Sequence, residues 1–275
     1  MPTNRRDAVR IQLLELARAD RRVTGAAITG SAAAGTQDEW SDIDLFFGVS
    51  DAEPAEVLDT FTAYLYGELG ALHHFDLVAG SAVYRGFLLD DLLEVDLGFT
   101  PASEFRSFGA ASFQVVFGEA AAPSPTPDAD VDQHAGRIWH HVLHARSSIE
   151  RGRPWLAEYW ISQARFHVLT LAAHRCGLET AYAKGADALP EPVKAALAAA
   201  LVRDLDASEL SRALEAVTAA ALTELRQHDP ATAARLREPL LTAVRRTDAS
   251  FKGDRVTRLV HDVAKVETDR RVAEI

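Results

Sequence analysis

Apolar residues recur at helical spacing through the start of the chain. Val9, Ile11, Leu13, Leu14, Leu16 and Ala17 leave polar residues on the opposite face, and the run ends in the charged stretch 20–22. The pattern then changes period. Residues 23–29 are short-chained and partly β-branched, which predicts a strand that stops at Gly30-Ser31, and a turn-rich stretch of small residues follows as far as Ser41. Residues 42–49 alternate. Asp42, Asp44 and Phe46 fall on one face of the predicted strand, and Ile43, Leu45 and Phe47 on the other. A helix is predicted over 54–69, with Pro54 near its start and Gly70 past its end. Residues 73–79 predict a third strand, and 86–90 and 92–99 two more that meet at a tight turn around Asp90-Asp91. In the last of these Leu92, Glu94, Asp96 and Gly98 share one face, while Leu93, Val95, Leu97 and Phe99 share the other.

The segment Ala121-Ala-Pro-Ser-Pro-Thr-Pro-Asp128 is Pro-rich and reads as a semi-rigid linker. Beyond it Ala, Leu, Arg and Glu dominate. Helical patterns run over 131–151, 155–176, 191–201 and 207–227, with one or two more helices expected toward the end. Gly152 and Pro154 separate the first pair, and Gly177 closes the second helix. No internal repeat is visible. The expected architecture is α+β: a mixed-sheet domain over 1–121, a linker over 122–128, and an all-α helical bundle over 129–275.

Composition narrows the function. The chain has 275 residues, 48% apolar and 25% charged, with 29 basic against 40 acidic side chains and a net charge of −11. No apolar run approaches the roughly 20 residues that span a bilayer, and residues 1–10 are polar, so neither a membrane segment nor a signal peptide is expected. The lone Cys176 excludes an internal disulfide and any Cys-based metal site, which together predict a cytoplasmic protein. Long nucleic acid is not the expected partner, because binding it rewards clustered Lys and Arg, whereas Lys194 and Lys252 are isolated.

The chemistry lies in three acids. Asp42 and Asp44 are two residues apart, so both carboxylates project from the same side of one strand, and Asp96 lies on a later strand that can pair beside it. Carboxylates that converge raise one another's pKa and resist burial unless something neutralises them. A divalent cation with oxygen preference does so, and Mg²⁺ suits because it is held by one or two carboxylates plus substrate phosphates. Taken alone, Asp42-x-Asp44 fits a solvent-facing pair on an edge strand equally well. Gly30-Ser31, set before a ten-residue loop that leads to Asp42, shifts the balance. A glycine there lets the backbone approach a ligand, Ser31 adds a hydroxyl, and successive amides in such a turn form an anion nest.

The stretch Gly30-Ser-Ala-Ala-Ala-Gly-Thr-Gln-Asp-Glu-Trp-Ser-Asp-Ile-Asp-Leu-Phe46 resembles the signature of the polymerase-β-like nucleotidyltransferase superfamily. Asp96 in Leu93-Glu-Val-Asp-Leu-Gly-Phe99 matches that family's third carboxylate. The resemblance spans residues 8–110 and implies an N-terminal nucleotidyltransferase domain. It further implies that ATP sets its β- and γ-phosphates on Gly30-Ser31, that Asp42 and Asp44 hold Mg²⁺, and that a second ion is shared with Asp96, which is also the expected general base. In the helical half, Trp155-Leu-Ala-Glu-Tyr-Trp160, Arg165-Phe-His-Val-Leu-Thr-Leu-Ala172 and Lys184-Gly-Ala-Asp-Ala-Leu-Pro-Glu191 are similar to C-terminal domains of antibiotic nucleotidyltransferases that modify aminoglycosides and lincosamides. That likeness implies that Arg165 and Lys184 reach the nucleotide phosphates and that Glu158 serves the acceptor. Solvated helix residues are the ordinary alternative for all three.

The expected reaction is transfer of AMP from ATP to a hydroxyl of a small molecule, such as an antibiotic, with release of pyrophosphate. An acidic cleft suits a cationic acceptor. Two alternatives stand beside it. AMP transfer to a protein, as in toxin–antitoxin nucleotidyltransferases, is disfavoured by the added helical half, and a nucleotide-binding module without catalysis is disfavoured by the intact acids. The aromatic-rich helical half can also support a homodimer. His140, His141 and His144 place two imidazoles on one helix face without an evident third metal ligand. His73-His74 beside Asp76 reads as a strand end, Trp155, Tyr159 and Trp160 as core with an aromatic wall against a sugar or base as the alternative, and Arg85, just before the hairpin, as a candidate phosphate contact.

Overall fold

A computed structural model describes residues 5–50, 54–107, 112–124 and 130–250. The chain forms two compact units, Met1–Pro127 and Asp128–Ile275. No helix among the described residues is long and apolar enough to cross a membrane.

The first unit runs α1 (Arg5–Ala19), β1 (Val23–Thr29), α2 (Gly30–Ala34), β2 (Ile43–Val49), α3 (Pro54–Glu68), β3 (Ala71–Ala79), β4 (Ala82–Leu89), β5 (Glu94–Pro101) and β6 (Phe113–Phe117). The strands make one mixed sheet in the order β3-β4-β5-β2-β1-β6. β2 and β5 are parallel, and every other neighbouring pair is antiparallel. The alternation that sequence predicts in β2 and β5 decides the layering. Ile43, Leu45 and Phe47 join Val95, Leu97 and Phe99 under α1 and α3, where Val9, Leu13, Val57, Phe61 and Leu65 complete the principal core. The opposite face carries a smaller aromatic cluster, in which Phe46 stacks near Tyr84 and Phe105. Phe105 fits against Gly25 and Gly48, where any side chain would collide with its ring or Cβ.

Several local readings change. Ile11 is 48% exposed, because α1 meets the core through the Val9, Leu13, Ala17 row, with Leu14 and Leu16 partly buried beside it. The stretch after Gly30 is a short helix rather than open turn. β4 begins at Ala82, four residues before the expected strand, because it pairs along the full length of β3. β6 has no counterpart among the predicted strands; it is a five-residue segment that completes the sheet beside β1. The Pro-rich segment does not leave the first unit at once, since Ala121 N donates to Phe105 O at 2.8 Å and Ser124 N to Ser107 O at 3.0 Å. Its residues 125–129 lie outside the described residues; of the one or two helices expected toward the end, one forms over Pro230–Ser250, and the chain beyond residue 250 is likewise outside them.

The second unit packs α4 (Val131–Glu150), α5 (Pro154–Arg175), α6 (Glu191–Ala199), α7 (Ala207–His228) and α8 (Pro230–Ser250). The observed class is therefore α+β, a mixed-sheet unit followed by helices. Asp130 caps α4 by accepting from Gln133 N at 2.9 Å. Ala145, Ala157, Ala164 and Ala213 let helices approach closely around Ile149, Ile161, Leu214 and Leu240. Of the aromatic trio expected in this core, Trp155 is 75% exposed and Tyr159 is also exposed; Trp160 alone is drawn inward, stacked on His141.

Imidazoles thread this bundle. His134 Nδ1 lies 3.0 Å from His167 Nδ1, and His141 stacks on His167 at 5.2 Å between centroids. His140 and His144 approach to 4.2 Å, and no third metal-ligating side chain joins them among the described residues. Burial, together with His134, His141 and Arg137 nearby, holds His167 down to about 4. Burial likewise lowers His134 and His141. Between pH 6.5 and 4 the unfolded chain thus binds protons that the folded chain refuses, so stability rises with pH through that window and levels above it. The melting temperature is expected to be lower at pH 5 than at pH 7.5, and His167→Phe is expected to shrink that difference. Thermal scans of both proteins at the two pH values check it.

Candidate active site

Parallel pairing sets Asp44 directly beside Asp96 across β2 and β5, and Asp42 sits immediately ahead of β2. One oxygen from each of the three carboxylates lies within 4.8 Å of the others, each residue being partly buried. This is the only such cluster of metal-capable side chains among the described residues. The loop that delivers Asp42 is tied down from α1: Arg6 Nη1 donates to Asp38 O at 2.5 Å and to Ser41 O at 2.9 Å. Asp38 in turn accepts from Ser41 Oγ at 2.9 Å and from Trp40 N at 3.0 Å. Those bonds favour the ionised form of Asp38 and keep its pKa low, the Ser41 hydroxyl contributing most.

Gly30 forms the other wall. Its φ is +60°, in the left-handed region, and a Cβ there would stand 1.8 Å from Asp44 Oδ2. The residue is thus glycine for two reasons, backbone conformation and the approach of a carboxylate. Ser31 follows with a buried Oγ that has no hydrogen-bond partner among the described residues. A buried hydroxyl without a partner costs roughly 1–3 kcal/mol, which a ligand oxygen would recover. The donor set of oxygens only, closely spaced and negative, matches what a hard divalent cation takes.

The same face of the sheet extends toward the free edge. Asp96 pairs with Gly86 of β4, and Gly86 with Phe75 of β3, so one row reads Asp44, Asp96, Gly86, Phe75. A Cβ on Gly86 would meet the Phe75 ring at 2.8 Å and Asp96 Oδ1 at 2.9 Å. Reading the sequence alone missed Phe75, because its place in the row appears only once the β3–β4 register is known. His73 and His74 lie inside β3, not at its end, and His74 Nδ1 meets Tyr66 Oη at 2.9 Å. Arg85, the candidate phosphate contact, is engaged within the protein. It lies on the α3 side of the sheet, where Nε and Nη2 donate to the Asp76 carboxylate at 2.6 and 2.7 Å, and Nη1 donates to Thr62 Oγ1.

The helical unit holds Glu158 and Arg165 on α5, joined through one hydroxyl. Ser162 Oγ donates to Glu158 Oε1 at 2.5 Å and accepts from Arg165 Nη2 at 3.0 Å, while Arg165 Nη1 donates to Ala200 O. Burial lowers the pKa of Arg165, and Glu158 opposes that shift. Lys184 is exposed in the turn after Tyr182 and Ala183. The structure therefore brings together Asp42, Asp44, Asp96, Gly30 and Ser31, and separately Glu158 with Arg165.

Residues 9–97 match the family model described as nucleotidyltransferase domain. No curated protein matches the chain. Among solved structures, an aminoglycoside 6-adenyltransferase from Bacillus subtilis is 13% identical, with 91% of this chain and 99% of that chain covered and a TM-score of 0.38. A nucleotidyltransferase-like protein from Exiguobacterium sibiricum is 12% identical, with 82% and 78% covered and a TM-score of 0.37. Both likenesses are too distant to carry a substrate or a residue role to this chain.

Gly30 and Gly35 provide a matched pair, since Gly35 has φ +70° with open space around its Cβ position. An alanine at either costs roughly 1–2 kcal/mol for its backbone conformation. Gly30→Ala is expected to cost more than Gly35→Ala by at least ~1 kcal/mol, because it must also move Asp44. Urea denaturation of the two variants measures the difference.

Proposed function

We propose that this chain, whose residues 9–97 match a nucleotidyltransferase domain, transfers AMP from ATP to a hydroxyl of a small acceptor, with pyrophosphate released. The observation that carries this reading is the convergence of Asp42, Asp44 and Asp96 beside Gly30 and the unpartnered Ser31 hydroxyl. The three acids are assigned to hold Mg²⁺, which when bound supplies charge neutralisation for the triphosphate. Gly30 lets the backbone come close to the β- and γ-phosphates, and Ser31 Oγ donates to a phosphate oxygen. Asp96, the acid farther from Gly30 in the strand order, accepts the proton of the acceptor hydroxyl as its oxygen attacks the α-phosphorus. The bond to the bridging oxygen then breaks, and the electron pair leaves with pyrophosphate. Catalysis of this kind is positioning and electrostatics, so an acid counts for more than a wall residue.

In the helical unit, Arg165 and Lys184 are assigned to the nucleotide phosphates and Glu158 to the acceptor. Their support is chemical: two cations and a carboxylate, with Arg165 and Glu158 held in register by Ser162. The acceptor class proposed is a hydroxylated antibiotic, either aminoglycoside or lincosamide, and the net charge of −11 favours a cation.

With ATP and Mg²⁺, pyrophosphate release is expected with at least one acceptor of a panel of aminoglycosides, lincosamides and other hydroxylated metabolites. Asp44→Ala is expected to lower that rate by at least about 10²-fold while circular dichroism stays unchanged. Substantial turnover by a folded Asp44→Ala protein would remove the acids from the mechanism.

A further inference from the structure

The face of the sheet that carries the acids is divided. Around Phe46 it is closed by aromatic packing, but beyond Asp96 toward β3 it is open. The open part is largely apolar, with Phe75 51% exposed, Leu77 54% and Leu88 40%, and with exposed His73 and Glu94 on either side of Leu88. Strand register puts these three on the acid-bearing side. Phe75 pairs with Gly86, Leu77 with Tyr84, and Leu88 with Glu94 of β5, one pleat from Asp96. Gly86 supplies no side chain between the Phe75 ring and Asp96. The positions where its Cβ would lie are 2.8 Å from the ring and 2.9 Å from Asp96 Oδ1, so ring and carboxylate stand within 5.7 Å of each other.

We infer that Phe75, with Leu77 and Leu88 beside it, is the platform on which the acceptor lays an apolar ring face while its hydroxyl reaches Asp96. The inference rests on the nucleotidyl-transfer reading above and gives it a substrate property. Gly30 and Ser31 occupy the β1 side of Asp44, so phosphates held there lie away from β4 and β3. What remains on the far side of Asp96 is the acceptor. A half-exposed aromatic ring beside a carboxylate suits a sugar or cyclitol, whose C–H face stacks on the ring while its hydroxyls point to the acid. A polycation recognised by charge alone would need more acids than the one, Glu94, that stands beside Phe75, Leu77 and Leu88. The empty position at Gly86 fits the same purpose, because any side chain there would separate the ring from the acid. Phe75 is accordingly a positioning residue for the acceptor and has no part in the nucleotide site.

The test is steady-state pyrophosphate release by the full chain with ATP and Mg²⁺, using kanamycin, spectinomycin and lincomycin as acceptors. Phe75→Ala is expected to raise the KM of the working acceptor by about 10-fold, the factor that ~1.4 kcal/mol of lost stacking gives. The KM for ATP should stay within about twofold, and Phe75→Tyr should restore the acceptor KM because it keeps the ring. Phe75 is exposed on an edge strand, and melting curves of both variants show whether they fold. An unchanged acceptor KM in Phe75→Ala overturns the platform and leaves the nucleotidyl-transfer reading standing. A rise in the ATP KM instead would make the ring a nucleotide contact and overturn it equally. No transfer by the unaltered enzyme to any of the three overturns the acceptor class, and with it the platform.

Discussion

Three carboxylates held within 4.8 Å of one another repel, and the first unit is built to hold them there. Parallel pairing of β2 and β5 sets Asp44 opposite Asp96 with no freedom to part, since both strands are buried beneath α1 and α3 on their other face. Asp42 arrives through a loop fastened by Arg6, and Gly30 presses so close to Asp44 that no other residue fits. Core packing imposes the repulsion, because Ile43, Leu45, Val95 and Leu97 cannot leave the core without exposing their apolar surface. Three carboxylates so placed favour a positive charge that can enter among them.

The two faces of the sheet divide the labour. One face is covered by helices and supplies stability. The other is closed at one end by Phe46, Phe105 and Phe113 and open at the acids and beyond, which is where a ligand has room. The helical unit has its own core and its own buried polar network. In that network Glu224 receives two hydrogen bonds from Arg175 and one contact from His228, so its charge is paired inside the bundle.

Much of this was legible in the chain. The period-two alternation in residues 42–49 and 92–99 told which side of each strand the acids would share, and the shift from strands to Ala- and Leu-rich helices marked the second half. What was not legible depended on long-range register. Phe113–Phe117 becomes a strand because β1 offers it a partner, and a segment so short carries little period of its own. Arg85 is a generic cation until the β3–β4 pairing shows Asp76 beside it, and Phe75 is a generic aromatic until the same pairing carries it to Asp96 across Gly86. Helical spacing misjudged Trp155 and Tyr159 because it says which residues share a face and not which face is covered.

The measurement that bears most directly on the three-acid site is Mn²⁺ binding, followed by electron paramagnetic resonance with a non-hydrolysable ATP analogue present. The protein should bind Mn²⁺, and Asp44→Asn should weaken that binding by about tenfold or more while the fold is kept. Equal Mn²⁺ binding by the folded variant would contradict the account.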